Sequence, residues 1–358
     1  MKAEPKRQDP YISPFLTQSW TRRINRAMPP RPSTVTLPAA PPPGVRTVFD
    51  FLTRRFSHIS PAVWAERFER GKVLSDEGPL GLQAEYRPRL RVRYFREVQR
   101  EPPVRTDFRI VHEDADLLVV DKPAFLPVTP AGDYVRNCLL SLLGEALGFE
   151  GLAPLHRLDK DTSGLVLFSR DPATRSHFSR LFRPESSKHL IKEYWAVCEA
   201  TRGEFPERMR LESHVARNPQ AYLRQAVIPD RPPNAICEVE RIGWLPSDES
   251  HKMVDSARRA AGADSPPLAL VRVTPLTGRK HQIRVQLSHA GLPILNDRLY
   301  GRFPRHAPED LDNPMRLECH KMAILDYPSP DGSRRLNLAW QSRGEVCRQL
   351  SGVPVPEG

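Results

Sequence analysis

Residues 154–164 read Pro-Leu-His-Arg-Leu-Asp-Lys-Asp-Thr-Ser-Gly and run directly into the apolar stretch Leu165-Val166-Leu167-Phe168. Polar side chains this dense beside a buried strand contribute little to packing, whereas a loop held by a rigid sheet is where catalytic groups tend to sit. The carboxylate of Asp159, the guanidinium of Arg157 and the Thr162-Ser163-Gly164 turn together have the means to hold a charged nucleophile beside its orienting partners. A lone aspartate in a loop usually caps backbone amides, so Asp159 gains chemical meaning only from partners elsewhere in the chain.

The bulk properties bound what such a loop acts on. The chain has 358 residues, room for one large domain and a small one. Its net charge of +11 is the footprint of a polyanion binder, because every Lys or Arg that meets a phosphate releases condensed counterions. A basic enzyme with no polyanionic partner has the same composition. Cys138, Cys198, Cys237, Cys319 and Cys347 lie far apart without a Cys-x-x-Cys pair. That argues against a disulfide framework or a zinc site and for a reducing cytoplasm. Residues 1–30 hold no apolar run long enough for a signal peptide, and no later segment is long enough to span a bilayer. The expectation is a soluble, cytoplasmic protein, a monomer by default, with no metal-ligand or nucleotide-binding motif that would call for a metal or cofactor.

The loop has to be positioned by regular elements, and the pattern along the chain supplies them. Residues 1–44 are rich in Arg and Pro and end in Pro41-Pro42-Pro43-Gly44; they are expected to form a disordered basic tail. Val48, Phe49, Leu52 and Phe56 recur at helical spacing, and Ser60-Pro61 offers an N-cap and first residue for a second short helix ending at Gly71. Short strands are expected at 72–74 and 90–94, giving a small α/β module over 45–100. Glu101-Pro102-Pro103 reads as a linker. Beyond it, strands are expected at 108–113, 117–123, 165–168, 193–197, 237–245 and 268–274, with helices at 135–147 and 172–182 and a polar surface insertion at 247–267. Strands outnumber helices without alternating with them, so residues 105–345 are expected to be an α+β domain with a mixed, mostly antiparallel sheet and flanking helices.

The His156-Arg157-Leu158-Asp159 run, two variable residues and Thr162-Ser163-Gly164 resemble the signature loop of the RluA family of pseudouridine synthases. Other segments match that family in the right order: Val119-Val120-Asp121-Lys122-Pro123-Ala124, Lys192-Glu193-Tyr194-Trp195-Ala196, Thr277-Gly278-Arg279-Lys280-His281-Gln282-Ile283-Arg284, Asn296-Asp297-Arg298-Leu299-Tyr300-Gly301, and Leu317-Glu318-Cys319-His320-Lys321-Met322, in which Cys319 and Lys321 are less usual choices. Residues 45–100 resemble the alpha-L RNA-binding module, with Arg54, Arg55, Arg67, Arg70 and Lys72 as its basic face. Leu74-Ser75-Asp76-Glu77-Gly78 stands where that module has a Val-Asn-Gly hairpin.

The resemblance implies an isomerase that converts uridine to pseudouridine in structured RNA, large-subunit ribosomal RNA first and transfer RNA as the alternative. It implies Asp159 as the essential nucleophile or base, Arg284 as its cationic partner, and Tyr194 as the ring that stacks on the uracil and later helps take the proton from carbon 5. Arg157 would fill the space left by the flipped nucleotide. Lys192, Arg279 and His281 would bind phosphates or brace the pocket, His156 would be structural or touch RNA, and Lys122 would be structural. Two rivals share part of this evidence. A binding-only protein has no chemical need of the Asp159, Tyr194 and Arg284 set, and a hydrolase pairing Asp159 with His156 leaves Tyr194 and the basic surplus unexplained.

Overall fold

A computed structural model of the chain describes residues 32–95, 100–149, 151–201, 205–221, 223–246, 267–302, 310–344 and 346. Most of the expected basic tail and nearly all of the expected insertion at 247–267 lie outside the described residues, as does Cys347. The chain divides into two compact units, the smaller made of Asn25–Pro102 and Pro130–Asn137.

In the smaller unit, β1 (Ser33–Thr36), β4 (Arg91–Tyr94), β2 (Val73–Ser75) and β3 (Gly78–Pro79) form an antiparallel sheet in the order β1-β4-β2-β3. Strand β1 falls inside the segment expected to be disordered. Val35 and Leu37 are buried in the module core beside Val48, Leu52, Trp64 and Val92, and that apolar contact orders the strand. Helix α1 (Val48–Arg55) starts with a capping box: Asp50 N–H donates to Thr47 Oγ1 at 3.0 Å, and Thr47 N–H donates to Asp50 Oδ2 at 2.9 Å. Helix α2 (Pro61–Glu69) starts at the Ser60-Pro61 step as expected. Residues 74–78 do form a hairpin, with Ser75 opposite Gly78. One basic residue departs from expectation. Arg67 is only 7% exposed, its guanidinium 4.8 Å from the Trp64 ring, so it belongs to the core and not to a face open to RNA.

The larger unit carries an eleven-stranded sheet among the described residues. Its central path, in spatial order, runs β11-β10-β12-β13-β9-β14-β8-β6-β5. In chain order these are β5 (Arg109–Glu113), β6 (Leu117–Lys122), β7 (Ala153–Pro154), β8 (Ser163–Ser169), β9 (Leu190–Glu199), β10 (Arg208–Arg217), β11 (Gln225–Ile228), β12 (Ala235–Trp244), β13 (Leu268–Pro275), β14 (Leu317–Pro328) and β15 (Arg335–Gln341). Every pairing is antiparallel except β14 with β8. The helices among the described residues of this unit are α3 (Leu139–Leu147), α4 (Arg175–Ser179) and α5 (Gln282–His289). None of the described helices is long and apolar enough to cross a membrane.

Strands β6 and β8 are buried along their whole length, which accounts for their unbroken apolar runs. Helix α3 begins later than the apolar periodicity suggests. The amides of Val135, Arg136 and Asn137 all donate to the Glu101 carboxylate at 2.7–2.9 Å, and that competing acceptor delays the helix. The stretch expected as one helix at 172–182 is a short α4 followed by a 3-10 turn at Arg180–Phe182.

Candidate active site

The polar loop 155–162 leads from β7 into β8 and is fixed at several points. Leu155 N–H donates to Leu167 O at 2.9 Å, and Leu167 N–H returns the tie to His156 Nε2 at 3.1 Å. The His156 ring stacks on Phe182 with centroids 4.9 Å apart. Burial, reinforced by Lys192, pushes its pKa down to about 3, so the imidazole is a neutral acceptor that braces the loop. Leu158 is buried in the core. Lys122, 1% exposed, donates from Nζ to Pro123 O at 2.9 Å and to Lys160 O at 3.2 Å. Burial lowers its ammonium to about 7 against the pull of Asp161, Asp159 and Asp121.

Gly164 closes the loop and cannot be another residue without rearrangement. It sits at φ +102, and a Cβ there would lie 2.3 Å from Cys319 O on β14. The parallel step between β8 and β14 at Ser163–Gly164 depends on that close approach.

Helix α5 brings the cation. Arg284 is 2% exposed and gives its donors to two carboxylates. Nε and Nη2 donate to Asp297 at 2.7 and 2.8 Å, and Nη1 donates to Asp159 Oδ2 at 3.0 Å. Asp161 Oδ2 is 3.9 Å away. Burial opposes the charge on Arg284, but Asp297, Asp159 and Asp161 outweigh it and hold the guanidinium above its ordinary pKa. Asp297 is wholly buried and accepts further bonds from the amides of Leu299 and Tyr300 at 2.8 and 3.0 Å. Burial works against its ionised form, yet Arg284 and those two amides keep its pKa lowered. His281 precedes α5, with Nε2 3.8 Å from Asp159 Oδ1.

Strand β9 supplies two further side chains. Lys192 and Tyr194 are two residues apart and share a face. Tyr194 pairs directly with Cys319 across the β9–β14 ladder. Its phenol is raised well above the ordinary range, first by burial, then by Cys319 and Asp159, which ties it electrostatically to the loop carboxylate. Burial pushes the Cys319 thiol up to about 12 and lowers the Lys192 ammonium.

Asp159, Arg284, His281, Tyr194 and Lys192 therefore belong to one neighbourhood. Arg157 and Arg279 are exposed, Arg279 donating from Nε to Asn234 O at 3.0 Å. His156 faces the core instead. Asp297 and Tyr300 were present in the sequence only as parts of a closing motif without roles. Asp297 opens a tight turn: Gly301 N–H donates to Asp297 O at 2.8 Å, and a Cβ at Gly301 would lie 2.3 Å from that oxygen. Among the described residues no group of His, Cys, Asp and Glu has the arrangement of a metal site.

Comparison with known proteins bears on this geometry. The family model described as RNA pseudouridylate synthase matches residues 116–289, which hold Asp159, Tyr194 and Arg284. An uncharacterized RNA pseudouridine synthase of Synechocystis sp. is 30% identical over 254 residues, covering 71% of this chain and 79% of that protein. The mitochondrial tRNA pseudouridine(32) synthase of Saccharomyces cerevisiae is 33% identical over 201 residues, covering 56% of this chain but only 38% of its own length. In fold, the solved human RNA Pseudouridylate Synthase Domain Containing 1 superposes with a TM-score of 0.50 at 19% identity, covering 72% of this chain and 100% of that one. The chain belongs to the RNA pseudouridine synthase family, whose members isomerise uridine in RNA.

Proposed function

We propose that this protein isomerises specific uridines in structured RNA, with Asp159 as the reacting carboxylate. The observation that carries the proposal is the 3.0 Å contact between Asp159 Oδ2 and a buried arginine whose other donors are already committed to Asp297. A carboxylate oriented in this way, with its side chain 27% exposed, is placed to act on the ribose once the base has been flipped out of the stack. The reaction breaks the bond between ribose C1′ and uracil N1, turns the base, and forms C1′–C5. The proton lost from C5 is balanced by one gained at N1, so no oxidant or reductant is consumed. Asp159 serves either by adding to C1′ or by taking a ribose proton.

Tyr194 is assigned the platform on which the detached uracil stacks and turns. Its raised pKa keeps the phenol neutral, which suits that part; proton removal from C5 by this residue draws less support from the geometry. Exposed Arg157, next but one to Asp159, is assigned the gap left by the flipped nucleotide, and Lys192 and Arg279 the backbone phosphates. The protein is proposed to act as a monomer in a reducing compartment, and residues 45–100 as an RNA-binding module.

Large-subunit ribosomal RNA is the first substrate class to test, because the module that the small unit resembles is commoner in synthases acting on that RNA. Transfer RNA is the second, favoured by the activity for which the yeast relative is named. The experiment is tritium release from RNA labelled at uridine C5, using ribosomal RNA and transfer RNA in turn. Release by the wild-type protein that disappears in Asp159→Asn, with RNA affinity retained, is the expected result. Substantial turnover by that variant overturns the assignment of Asp159.

A further inference from the structure

Tyr300 uses one oxygen for two hydrogen bonds. The backbone N–H of Gln225 donates to it at 2.6 Å, and His281 Nδ1 lies 2.8 Å from it. An amide can only donate, so the hydroxyl accepts from Gln225 and keeps its proton and a second lone pair for the imidazole. The carboxylate on the Nε2 side can only accept, so both sides of the ring are served at once when Nδ1 accepts from the phenol and the neutral imidazole carries its proton on Nε2. Nε2 is the atom 3.8 Å from Asp159 Oδ1, while Asp159 Oδ2 is held by Arg284.

We propose that Tyr300 locks His281 as its Nε2–H tautomer and that His281 is thereby a positioning residue, a neutral donor aimed at the outer oxygen of Asp159. The inference rests on Asp159 as the reacting carboxylate and assigns His281 a role other than phosphate binding. Its surroundings support this. The His281 backbone is in the left-handed region at φ 54, a conformation that costs a non-glycine residue free energy and tends to occur where a side chain must be aimed. The two rings meet edge to face with centroids 5.7 Å apart, so the imidazole has little freedom to turn over. The groups facing it are Asp159, Asp297, Arg284, Lys280 and Tyr300. Burial, with Arg284 and Lys280 adding to it against the two carboxylates, takes its pKa down to about 4 and leaves it neutral at neutral pH.

A neutral donor suits the chemistry of this position. A second cation would compete with Arg284, whereas an N–H dipole orients Oδ1 and leaves the carboxylate its charge. The separation of 3.8 Å is an ion–dipole distance, and contacts of this kind shorten when substrate occupies a site. The phenol is itself placed by the turn into β11. Arg224 donates to Leu299 O, and its guanidinium lies 5.4 Å from the Tyr300 ring.

The test is nitrogen-15 NMR of histidine-labelled full-length protein without RNA, the His281 signals being assigned by their loss in His281→Asn. Wild type should show Nε2 protonated and Nδ1 bare. Tyr300→Phe, which removes only the hydroxyl, should mix the tautomers and lower kcat about ten-fold, the worth of one hydrogen bond, with KM for RNA unchanged. His281→Gln puts an amide N–H near the Nε2 position and should keep most of the turnover that His281→Asn loses. Wild type protonated at Nδ1 overturns the proposal, as does an unchanged spectrum in Tyr300→Phe or a loss confined to RNA affinity. The spectra need no activity, so an absence of isomerisation by wild type counts against the proposed function and leaves the tautomer assignment to stand or fall separately.

Discussion

Arg284 divides its donors unequally: Asp297 takes two, at 2.7 and 2.8 Å, and Asp159 takes one, at 3.0 Å. Asp297 is wholly buried and Asp159 is 27% exposed, so the two carboxylates carry different burdens. Asp297 holds the plane of the guanidinium; Asp159 uses what remains.

Asp297→Ala should therefore destabilise the protein by about 3–5 kcal/mol, the cost of stranding one member of a buried pair, and should abolish turnover as well. Asp159→Asn should cost little stability and abolish turnover alone. Urea unfolding beside single-turnover rates reads both, and an Asp297→Ala protein of normal stability contradicts the division of roles.

Arg284→Met should remove nearly all turnover at saturating RNA with little change in RNA affinity. Arg284→Lys should recover only a small part, since an ammonium cannot bridge Asp297 and Asp159 with a planar fork. A phosphate-binding arginine behaves in the opposite way, losing affinity and salt dependence while its saturated rate survives. Rate against RNA concentration for both variants separates the cases.

His156 gives a stability signature. Its pKa is pushed from 6.5 to about 3 by burial and then by Lys192. Between those values the unfolded chain binds a proton that the folded one does not, so stability falls as pH falls through that window and is complete above it. His156→Gln, whose carbonyl can accept the Leu167 amide, should flatten the acid side of a plot of unfolding free energy against pH. A curve parallel to wild type from pH 6.5 downward would show that another group dominates acid unfolding.

The loop at 155–162 and its partners were legible because the family motifs set a few residue types at fixed places: Arg284 donates to Asp159, and Tyr194 feels the same carboxylate. The buried strands β6 and β8 were legible from unbroken apolar runs. Strands β10 and β11 were not, because β10 alternates exposed and half-buried residues with Arg and Glu paired across strands, as in Arg210–Glu238, and so reads as polar loop. Helix α3 reads too long in sequence because the signal that delays it is Glu101, more than thirty residues away. Arg67 reads as a surface residue because a guanidinium over Trp64 looks, in sequence, like any other charge on a helix. Asp297 escaped a role because its partner Arg284 is on a different element. Long-range pairings of this kind leave no local periodicity.

Gly164→Ala tests the closest backbone approach in the site. The added Cβ would meet Cys319 O at 2.3 Å from a residue at φ +102, so either β8 or β14 has to move. Overpacking of this kind typically costs about 1–3 kcal/mol, and the left-handed φ adds to it. The loop leading into β8 carries Asp159, so turnover should fall further than stability. Unfolding curves matching wild type would mean that the two strands separate without cost.

In the small unit, Arg54 and Arg55 are exposed at the end of α1 while Arg67 is not. Arg54 donates to Pro43 O and Arg55 lies 5.8 Å from the Phe56 ring, contacts that leave their charge facing solvent. If this helix end meets RNA, each arginine neutralises one phosphate and releases its share of counterions on binding. Arg54→Gln with Arg55→Gln should then weaken RNA binding at low salt and reduce the slope of log affinity against log salt by about 0.7–0.9 per contact, roughly 1.5 in all. The rate at saturating RNA should not change, because neither residue belongs to the Asp159 neighbourhood. Arg67→Gln should behave differently, lowering stability through the lost packing on Trp64 and leaving the salt slope alone. Affinity measured at four or five salt concentrations for the three proteins decides the matter: a slope unmoved by the double variant removes α1 from the RNA interface, and a slope moved by Arg67→Gln places the basic face on α2 instead.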